Sequence, residues 1–173
     1  MNKCTWFLLL LLISGCASIT GYHFEPESTE DAEKLISYKV DEFDNTAWLK
    51  SEAVANLDHA SAIYNFRAFF DEQKKLKFIQ LYINLRFSDW YFIDDALMKN
   101  ENISLTQIDR DVVSGGYVHE NVAINLSKDT LESLSMGDTK IKLKGRRGDY
   151  IFTVNKNMSE AFLNQLSLYT QKI

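Results

Sequence analysis

The sequence that decides the fold is AIYNFRAFFDEQKKLKFIQLYINLRF, residues 62–87. Apolar and polar residues alternate through 62–71 and again through 76–87, and a polar loop separates the two runs, a pattern typical of a β-hairpin. Pairing Asp71 with Leu76 sets the register, because a slip of one residue would turn the apolar set to the other face. This register pairs Ala68 with Ile79, Phe66 with Leu81, Tyr64 with Ile83 and Ala62 with Leu85, and it leaves Phe69, Phe78 and Tyr82 facing outward.

A second hairpin is predicted from Ser104–Val113 and Tyr117–Leu126, which surround a Ser-Gly-Gly turn. A two-residue Gly-Gly loop would set Asp111 against Glu120, and like charges directly opposed destabilise a sheet. A three-residue loop with Gly116 in the left-handed conformation avoids that repulsion. It pairs Val112 with Val118, Arg110 with Glu120 and Ile108 with Val122, and it gathers Asp109, Asp111, His119 and Asn121 on the wetter face.

Further elements follow on both sides of these hairpins. A third hairpin joins Thr139–Lys144 to Asp149–Val154 through a Gly-Arg-Arg-Gly turn, with Leu143 opposite Tyr150 and Ile141 opposite Phe152. More strands are predicted at Leu35–Phe43, around Trp48 and at Trp90–Leu97. A short helix is expected after the N-cap Ser127 and before Gly137, and a longer one from Met158 toward Tyr169, where Asn157 and Glu160 have capping-box spacing.

Several short strands with regular turns favour a mainly β fold. We predict an antiparallel β-sandwich or partly open barrel with a C-terminal amphipathic helix, and α+β is the alternative. The apolar stripe of that helix comprises Met158, Ala161, Phe162, Leu166 and Tyr169, interrupted by Gln165. A chain of 173 residues fits a single domain.

The N-terminus predicts export. Lys3 gives a positive start, Trp6–Ile13 is an uninterrupted apolar run, and small Ser14 and Gly15 follow. A bilayer-spanning helix needs about 20 apolar residues, whereas a signal peptide needs only a short apolar run. We therefore expect residues 1–15 to be a signal peptide.

The tetrapeptide Ile13-Ser14-Gly15-Cys16 resembles the lipobox of bacterial lipoprotein precursors. The resemblance extends to about residue 17, and it implies acylation of the Cys16 thiol and cleavage just before it; an ordinary secretory leader is the alternative. Ala17 follows the cysteine, where Asp would signal retention in the inner membrane. The resemblance thus implies that the protein lies on the periplasmic leaflet of the outer membrane in a diderm host. In a host with one membrane, it implies a location on the outer cell surface. Acyl chains would anchor the protein, because each buried CH₂ contributes about 0.8 kcal/mol.

The sequence divides into a leader, a tether and a domain. Residues 16–34 are acidic and contain the sole proline, so we predict a flexible tether there and a single globular domain over 35–173. Cleavage would remove Cys4, and with Cys16 acylated no thiol would remain for catalysis, metal binding or a disulfide. The 24 acidic residues against 19 basic ones argue against a nucleic-acid partner.

Arg110 and Glu120 are the candidate ligand-binding residues. The preferred register places this pair on the apolar face, where a buried charge needs a partner. The pair is either a structural ion pair or the polar anchor of an apolar ligand cavity. His119 beside Asp109 and Asp111 could form a metal or acid-base cluster, but a solvated strand face is the simpler interpretation.

The sequence carries no Gly-rich phosphate loop, no G-x-S-x-G elbow and no H-E-x-x-H motif. We therefore expect no catalytic site, no metal site and no cofactor. The prediction is a non-enzymatic, lipid-anchored module that binds or supports an envelope assembly, with the membrane and an envelope protein as partners. The alternatives are a carrier of a small apolar or amphiphilic ligand, held between sheet and helix, and a carboxylate-dependent hydrolase using Asp109 and Asp111.

Overall fold

The computed structural model describes residues 22–55, 61–99 and 101–171. Within these ranges the chain forms twelve strands and three helices. The strands are β1 (His23–Phe24), β2 (Ile36–Asp41), β3 (Thr46–Ser51), β4 (Val54–Ala55), β5 (Ala62–Phe70), β6 (Leu76–Phe87), β7 (Ile93–Met98), β8 (Glu101–Ile103), β9 (Leu105–Val113), β10 (Tyr117–Leu126), β11 (Thr139–Gly145) and β12 (Gly148–Val154). The helices are α1 (Thr29–Glu33), α2 (Lys128–Ser135) and α3 (Lys156–Gln171).

The central hairpin, β5 with β6, has all four predicted apolar pairs. The predicted pair of Asp71 with Leu76 is wrong, because a bulge shifts the register and sets Phe70 opposite Leu76. The Asp71 carboxylate instead accepts hydrogen bonds from the backbone N–H groups of Gln73 at 3.1 Å and Lys75 at 2.8 Å. A side chain that bonds its own turn in this way competes with strand pairing.

The second hairpin, β9 with β10, has the predicted three-residue turn, in which Gly116 takes a left-handed φ of 77°. The predicted pairs next to the turn are confirmed. Farther along, the predicted pair of Ile108 with Val122 is wrong, because a bulge sets Gln107 opposite Val122. Ile108 is the extra residue of this bulge, so the strand pattern beyond it shifts by one position.

The third hairpin, β11 with β12, has both predicted pairs. Its turn requires glycine at position 145, because a Cβ there would lie 2.3 Å from the carbonyl oxygen of Tyr91. The strands predicted at Leu35–Phe43, around Trp48 and at Trp90–Leu97 are present as β2, β3 and β7. The first is shorter at both ends, and β7 begins later than predicted and ends one residue farther on, at Met98.

The described strands form two sheets, and neither closes on itself. The large sheet has the order β1-β4-β5-β6-β10-β9, with β3 beside β5 and β2 beside β3. The small sheet has the order β12-β11-β7-β8. The prediction of a mainly β, sandwich-like fold with a C-terminal helix is confirmed, and the sheets stay open rather than forming a barrel.

The core lies on one face of the large sheet. Along β5 every second residue is buried, as expected for a strand with one covered face. The small sheet and all three helices contribute to this core, so the other face of the large sheet, here called the outer face, is left uncovered by the described elements. The rings of Phe66 on β5 and Phe162 on α3 stack with 5.3 Å between centroids. Burial of each such ring contributes about 1.5–3 kcal/mol.

Both predicted helices are present, but α3 begins earlier than expected. The predicted N-cap of α2 is confirmed, since the Ser127 hydroxyl accepts a hydrogen bond from the Thr130 N–H at 3.0 Å. In α3 the predicted capping role of Asn157 is wrong, because Asn155 takes it: the Asn155 Oδ1 accepts from the Met158 N–H at 3.1 Å. The predicted apolar stripe is buried at Met158, Ala161, Phe162 and Leu166.

The predicted tether is too long at its C-terminal end. Part of it forms α1, whose Ala32 is fully buried, and the Thr29 hydroxyl donates to the Glu160 carboxylate on α3 at 2.8 Å. The Asn157 side chain on α3 also donates to the Pro26 carbonyl at 3.1 Å. The described part of the predicted tether, residues 22–34, therefore packs against the domain, and the N-terminal part of the predicted tether lies outside the described residues.

Candidate functional site

Glu120 is fully buried in β10, and protein donors surround its carboxylate. Its Oε1 accepts hydrogen bonds from the backbone N–H groups of Tyr91 at 2.6 Å and Phe92 at 2.9 Å. Its Oε2 accepts from the Ile93 N–H at 2.8 Å and from Arg110 Nε at 3.2 Å. Arg110 Nη2 donates in turn to the Ile93 carbonyl at 2.9 Å. Four donors compensate for the burial of the charge.

These contacts join the two sheets, because the segment Tyr91–Ile93 leads into β7 of the small sheet. Phe92 has a left-handed φ of 56°, which lets successive N–H groups converge on one carboxylate. The guanidinium groups of Arg110 and Arg147 lie over the Phe92 ring, 5.4 Å and 5.3 Å from its centroid. The geometry supports a structural role for Arg110 and Glu120, since their charges already bind the backbone.

The second predicted cluster lies on edge strand β9 and its neighbour. The Asn121 amide donates to the Asp109 carboxylate and accepts from the Asn84 amide at 2.5 Å. Asp111 and His119 are opposite each other as predicted. No group of three or more His, Cys, Asp or Glu side chains able to hold a metal ion occurs among the described residues.

Of the apolar residues predicted on one face of this hairpin, those on β10 are buried and those on β9 are exposed. Val118 and Val122 on β10 are buried, whereas Ile108 is 41% exposed and Val112 is 74% exposed on β9. β9 is the last strand of the large sheet, with no described strand paired to its free edge, and Ile108 is the extra residue of the bulge.

The outer face carries an aromatic cluster, defined by Trp48, Phe69 and Phe78, which lie side by side across β3, β5 and β6. The Trp48 ring lies 4.9 Å from the Phe69 ring and 5.6 Å from the Phe78 ring, and the two phenylalanine rings stack at 5.6 Å. The sequence predicted the outward placement of Phe69 and Phe78. It did not predict their contact with Trp48, because the pairing of β3 with β5 links distant parts of the chain.

Beside the aromatic cluster, a ladder of polar side chains crosses the outer face from β5 to β9. Arg67 Nε donates to Gln80 at 2.9 Å, and the Gln80 amide donates to Asn125 at 2.8 Å. Asn125 continues the ladder by donating to Ser104 at 3.2 Å and to Thr106 at 3.1 Å. Such cross-strand hydrogen bonds hold the side chains in fixed positions, as a binding surface requires.

Positive charge gathers where the ladder meets the aromatic cluster. Burial lowers the pKa of Lys50, and the charges of Arg67 and Lys39 lower it further. Burial also lowers the pKa of Arg67, whose guanidinium lies 4.7 Å from the centroid of the Tyr82 ring. The sequence pattern did not predict this group of cations, although Lys39, Lys50 and Arg67 each occupy an outward position of their strands.

The space between the large sheet and α3 is filled by side chains. Besides the Phe66–Phe162 stack, Met158, Ala161 and Leu166 are at most 2% exposed. Apolar side chains therefore pack against one another where the carrier alternative places its ligand.

The predicted signal peptide and Cys16 lie outside the described residues. Within 22–55, 61–99 and 101–171, no helix is both long and apolar enough to cross a bilayer. Comparison of the chain with protein-family models, with curated proteins and with solved structures found no match.

Proposed function

We propose that the protein is a lipid-anchored, non-enzymatic binding module that presents the outer face of its large sheet to another component of the cell envelope. The observation that carries this proposal is the organisation of that face. It combines a cross-strand aromatic cluster, a hydrogen-bonded polar ladder and a group of cations, and no described element covers it.

The anchor comes from the lipobox-like sequence ending at Cys16. In the domain, β1 at the start of the described chain pairs with β4 at an edge of the large sheet. A chain tethered near a sheet edge leaves the outer face accessible from the side. This arrangement suits a module that contacts partners along the membrane.

The enzymatic alternative has weaker support. A hydrolase using Asp109 and Asp111 would need the two carboxylates to converge in a cleft. Both residues are exposed on the edge strand β9, and Asp109 is engaged with the Asn121 amide. We therefore favour binding over catalysis.

Site-specific photo-crosslinking in cells tests the proposal. The photoreactive residue p-benzoylphenylalanine replaces Phe78, which it resembles in shape, on the outer face. The matched control carries it in place of Ile151, an apolar residue of the small sheet that is 47% exposed. We expect discrete adducts from position 78 and none of the same mass from position 151.

A Cys16→Ser variant completes the test. If the anchor places the outer face near its partner, adducts from position 78 should decrease when Cys16 is replaced. Identical adducts from both positions, or none from position 78, would contradict the proposal.

A further inference from the structure

Phe24 is an exposed aromatic residue close to the point where the described chain begins. Its exposed fraction is 65%. The ring of Tyr22, the first described residue, meets it edge to face with 6.4 Å between centroids. Tyr22 and Phe24 are here called the entry pair. Single exposed apolar residues are ordinary, so exposure alone does not indicate a site, and the position of the pair has to be considered.

Hydrogen bonds on both sides of Phe24 hold this segment against the domain. Before it, the His23 N–H donates to the Ala53 carbonyl at 2.8 Å, and β1 pairs with β4. After it, the Tyr64 hydroxyl donates to the Glu25 carboxylate at 3.1 Å. The entry pair is therefore carried by backbone that is fixed at one edge of the large sheet.

The predicted anchor lies only a short distance before the entry pair. Tyr22 follows Cys16 by six residues. Because an extended chain spans at most about 3.6 Å per residue, the two Cα atoms lie within about 22 Å of each other. A domain of about 150 residues has a diameter of about 40 Å. Acyl chains on Cys16 would therefore keep this edge of the domain near the bilayer, whereas its opposite side can lie farther away.

A second exposed phenylalanine, Phe43, lies at the opposite end of the large sheet. It is 101% exposed in the turn between β2 and β3. Strand pairing sets Phe24 level with Ile63, and it sets the start of β3, which follows this turn, level with Phe70. At about 3.3 Å per residue, these two levels are about 23 Å apart along β5. Phe43 is therefore the more exposed ring, at the level that lies farther from the entry pair.

We propose that the entry pair is a second membrane contact, in which the rings of Tyr22 and Phe24 lie in the headgroup region of the bilayer beside the lipid anchor. Aromatic residues are enriched at this depth of a membrane. Acyl chains alone fix the location of a domain and leave its orientation free, so the rings supply what the anchor lacks. This inference rests on the proposed function, because the reach is counted from an acylated Cys16.

Charged neighbours limit the contact to the headgroup region. His23 precedes Phe24, and Glu25 and Glu27 follow it. Moving carboxylates into hydrocarbon is costly, so the rings reach the interface while the strand stays outside the hydrocarbon. The contact depends on the rings rather than on cations, and it therefore needs no anionic lipid.

The contact also orients the outer face. Phe69, a member of the aromatic cluster, follows Ile63 by six residues along β5, and Ile63 is level with Phe24. The aromatic cluster therefore lies up to about 20 Å farther from the headgroups than the entry pair does. A cluster held clear of the lipid stays open to a partner in the envelope.

Quenching of tryptophan fluorescence by lipids brominated near the glycerol end of their acyl chains tests the inference. The acylated protein is reconstituted in phosphatidylcholine vesicles. Trp48→Phe and Trp90→Phe remove the described tryptophans, and Trp6 belongs to the predicted leader. Phe24→Trp is the reporter, and Phe43→Trp is its matched control. We expect a blue-shifted emission maximum and strong quenching from position 24, because bromine quenches an indole only at close range.

The same comparison gives the results that would overturn the proposal. One is the absence of quenching at position 24. The other is quenching at position 43 that equals or exceeds it, since the bilayer would then contact the opposite end of the sheet or have no preferred contact.

A second reporter separates contact by the ring from mere proximity to the anchor. With Tyr22→Trp as the reporter, Phe24→Ser should weaken the quenching at position 22, whereas Phe43→Ser should leave it unchanged. Because Phe24 is largely exposed, Phe24→Ser should not alter the midpoint of urea unfolding. Quenching that Phe24→Ser leaves unchanged would show that the anchor alone brings this edge to the lipid, and would overturn the proposal.

The intact mass of each preparation shows whether Cys16 is acylated. An acylated protein without quenching at position 24 contradicts this inference and leaves the anchor standing. An unacylated protein contradicts the anchor and this inference together, because the reach is counted from the lipid on Cys16.

Discussion

Arg110 lies directly opposite Glu120 on neighbouring strands, and its Nε donates to the Glu120 carboxylate at 3.2 Å. The two side chains differ in exposure: that of Arg110 is 31% exposed and that of Glu120 is fully buried. The backbone of residues 91–93 supplies the other donors to Glu120. The pair therefore connects the two sheets, and Glu120 accepts most of the hydrogen bonds of this connection.

Replacement of Glu120 should destabilise the protein more than replacement of Arg110. Glu120→Ala leaves three backbone N–H groups and a guanidinium without their acceptor, and we expect a loss of about 3–5 kcal/mol in the free energy of unfolding. Arg110→Ala leaves the carboxylate with three backbone donors but without its countercharge, so a smaller loss of about 1–3 kcal/mol is expected. Urea unfolding of both variants measures the difference. Equal losses would show that the ion pair, rather than the backbone contacts, holds the sheets together.

Gly145 should tolerate no side chain. In Gly145→Ala the new Cβ would approach the Tyr91 carbonyl oxygen to 2.3 Å, so the turn must move, at a cost of about 2 kcal/mol or more. Gly137→Ala is the matched control, because a Cβ there meets nothing within 4 Å. Thermal unfolding should show a lower Tm for the first variant and a nearly unchanged Tm for the second. A similar Tm for both would contradict the close approach of Gly145 to the Tyr91 carbonyl.

Asn155 should behave as the N-cap of α3. Asn155→Ala removes the acceptor for the Met158 N–H and should cost about 1 kcal/mol. Asn155→Asp keeps that acceptor and should retain the stability, since a negative charge is favourable at a helix N-terminus. Urea unfolding compares the variants. Loss of stability in both would indicate that the amide Nδ2, rather than Oδ1, is the important group.

Stability should decrease at alkaline pH through Tyr150. Burial raises the pKa of Tyr150 to about 12, whereas a tyrosine in an unfolded chain titrates near 10. Between these values the unfolded state has lost the proton that the folded state keeps, so the free energy of unfolding falls as the pH rises from about 10 to 12. In Tyr150→Phe this fall should be smaller, as measured by urea unfolding at several pH values. An unchanged slope would show that Tyr150 is accessible to solvent.

Shortening a side chain should lower the free energy of unfolding by different amounts on the two faces of β5 and β6. Phe66 is fully buried in the core, and Phe66→Ala should cost about 3–5 kcal/mol. Phe78 is partly exposed on the outer face, and Phe78→Ala should cost about 1 kcal/mol. Both changes remove the same atoms, so a difference between the two variants in urea unfolding reflects the different surroundings of the two rings. A large loss for Phe78→Ala would indicate that the aromatic cluster serves the fold rather than binding.

The sequence predicted the hairpin registers because each has a strong internal constraint. Alternation of apolar residues fixed Phe66 opposite Leu81, and repulsion between Asp111 and Glu120 selected the longer turn of the second hairpin. Such constraints act between residues close together in the chain, where few pairings compete.

The wrong predictions concern contacts that the alternation of apolar and polar residues does not determine. Ile108 is an extra residue in a bulge. The bulge changes the pairing of the strands, but nothing in the order of apolar and polar residues marks its position. Asn155 and Asn157 are equally suitable as caps, and tertiary contacts decide between them. The pairing of β3 with β5, which brings Trp48 beside Phe69, likewise arises only when the sheet assembles.

The candidate site was predicted in part. Arg110 and Glu120 were correctly paired, but their shared contact with the backbone near Phe92 could not be inferred, because it joins different sheets. The cations Lys39, Lys50 and Arg67 come from three strands, and their proximity follows from sheet order alone.

The central claim, that this domain works at a membrane surface, depends on Cys16. Mass spectrometry of the N-terminal peptide, taken from protein purified out of bacterial membranes, tests it most directly. The account predicts a chain that begins at Cys16 and carries acyl groups on that residue. A free Cys16 thiol, or a chain that still carries the leader, would contradict the account.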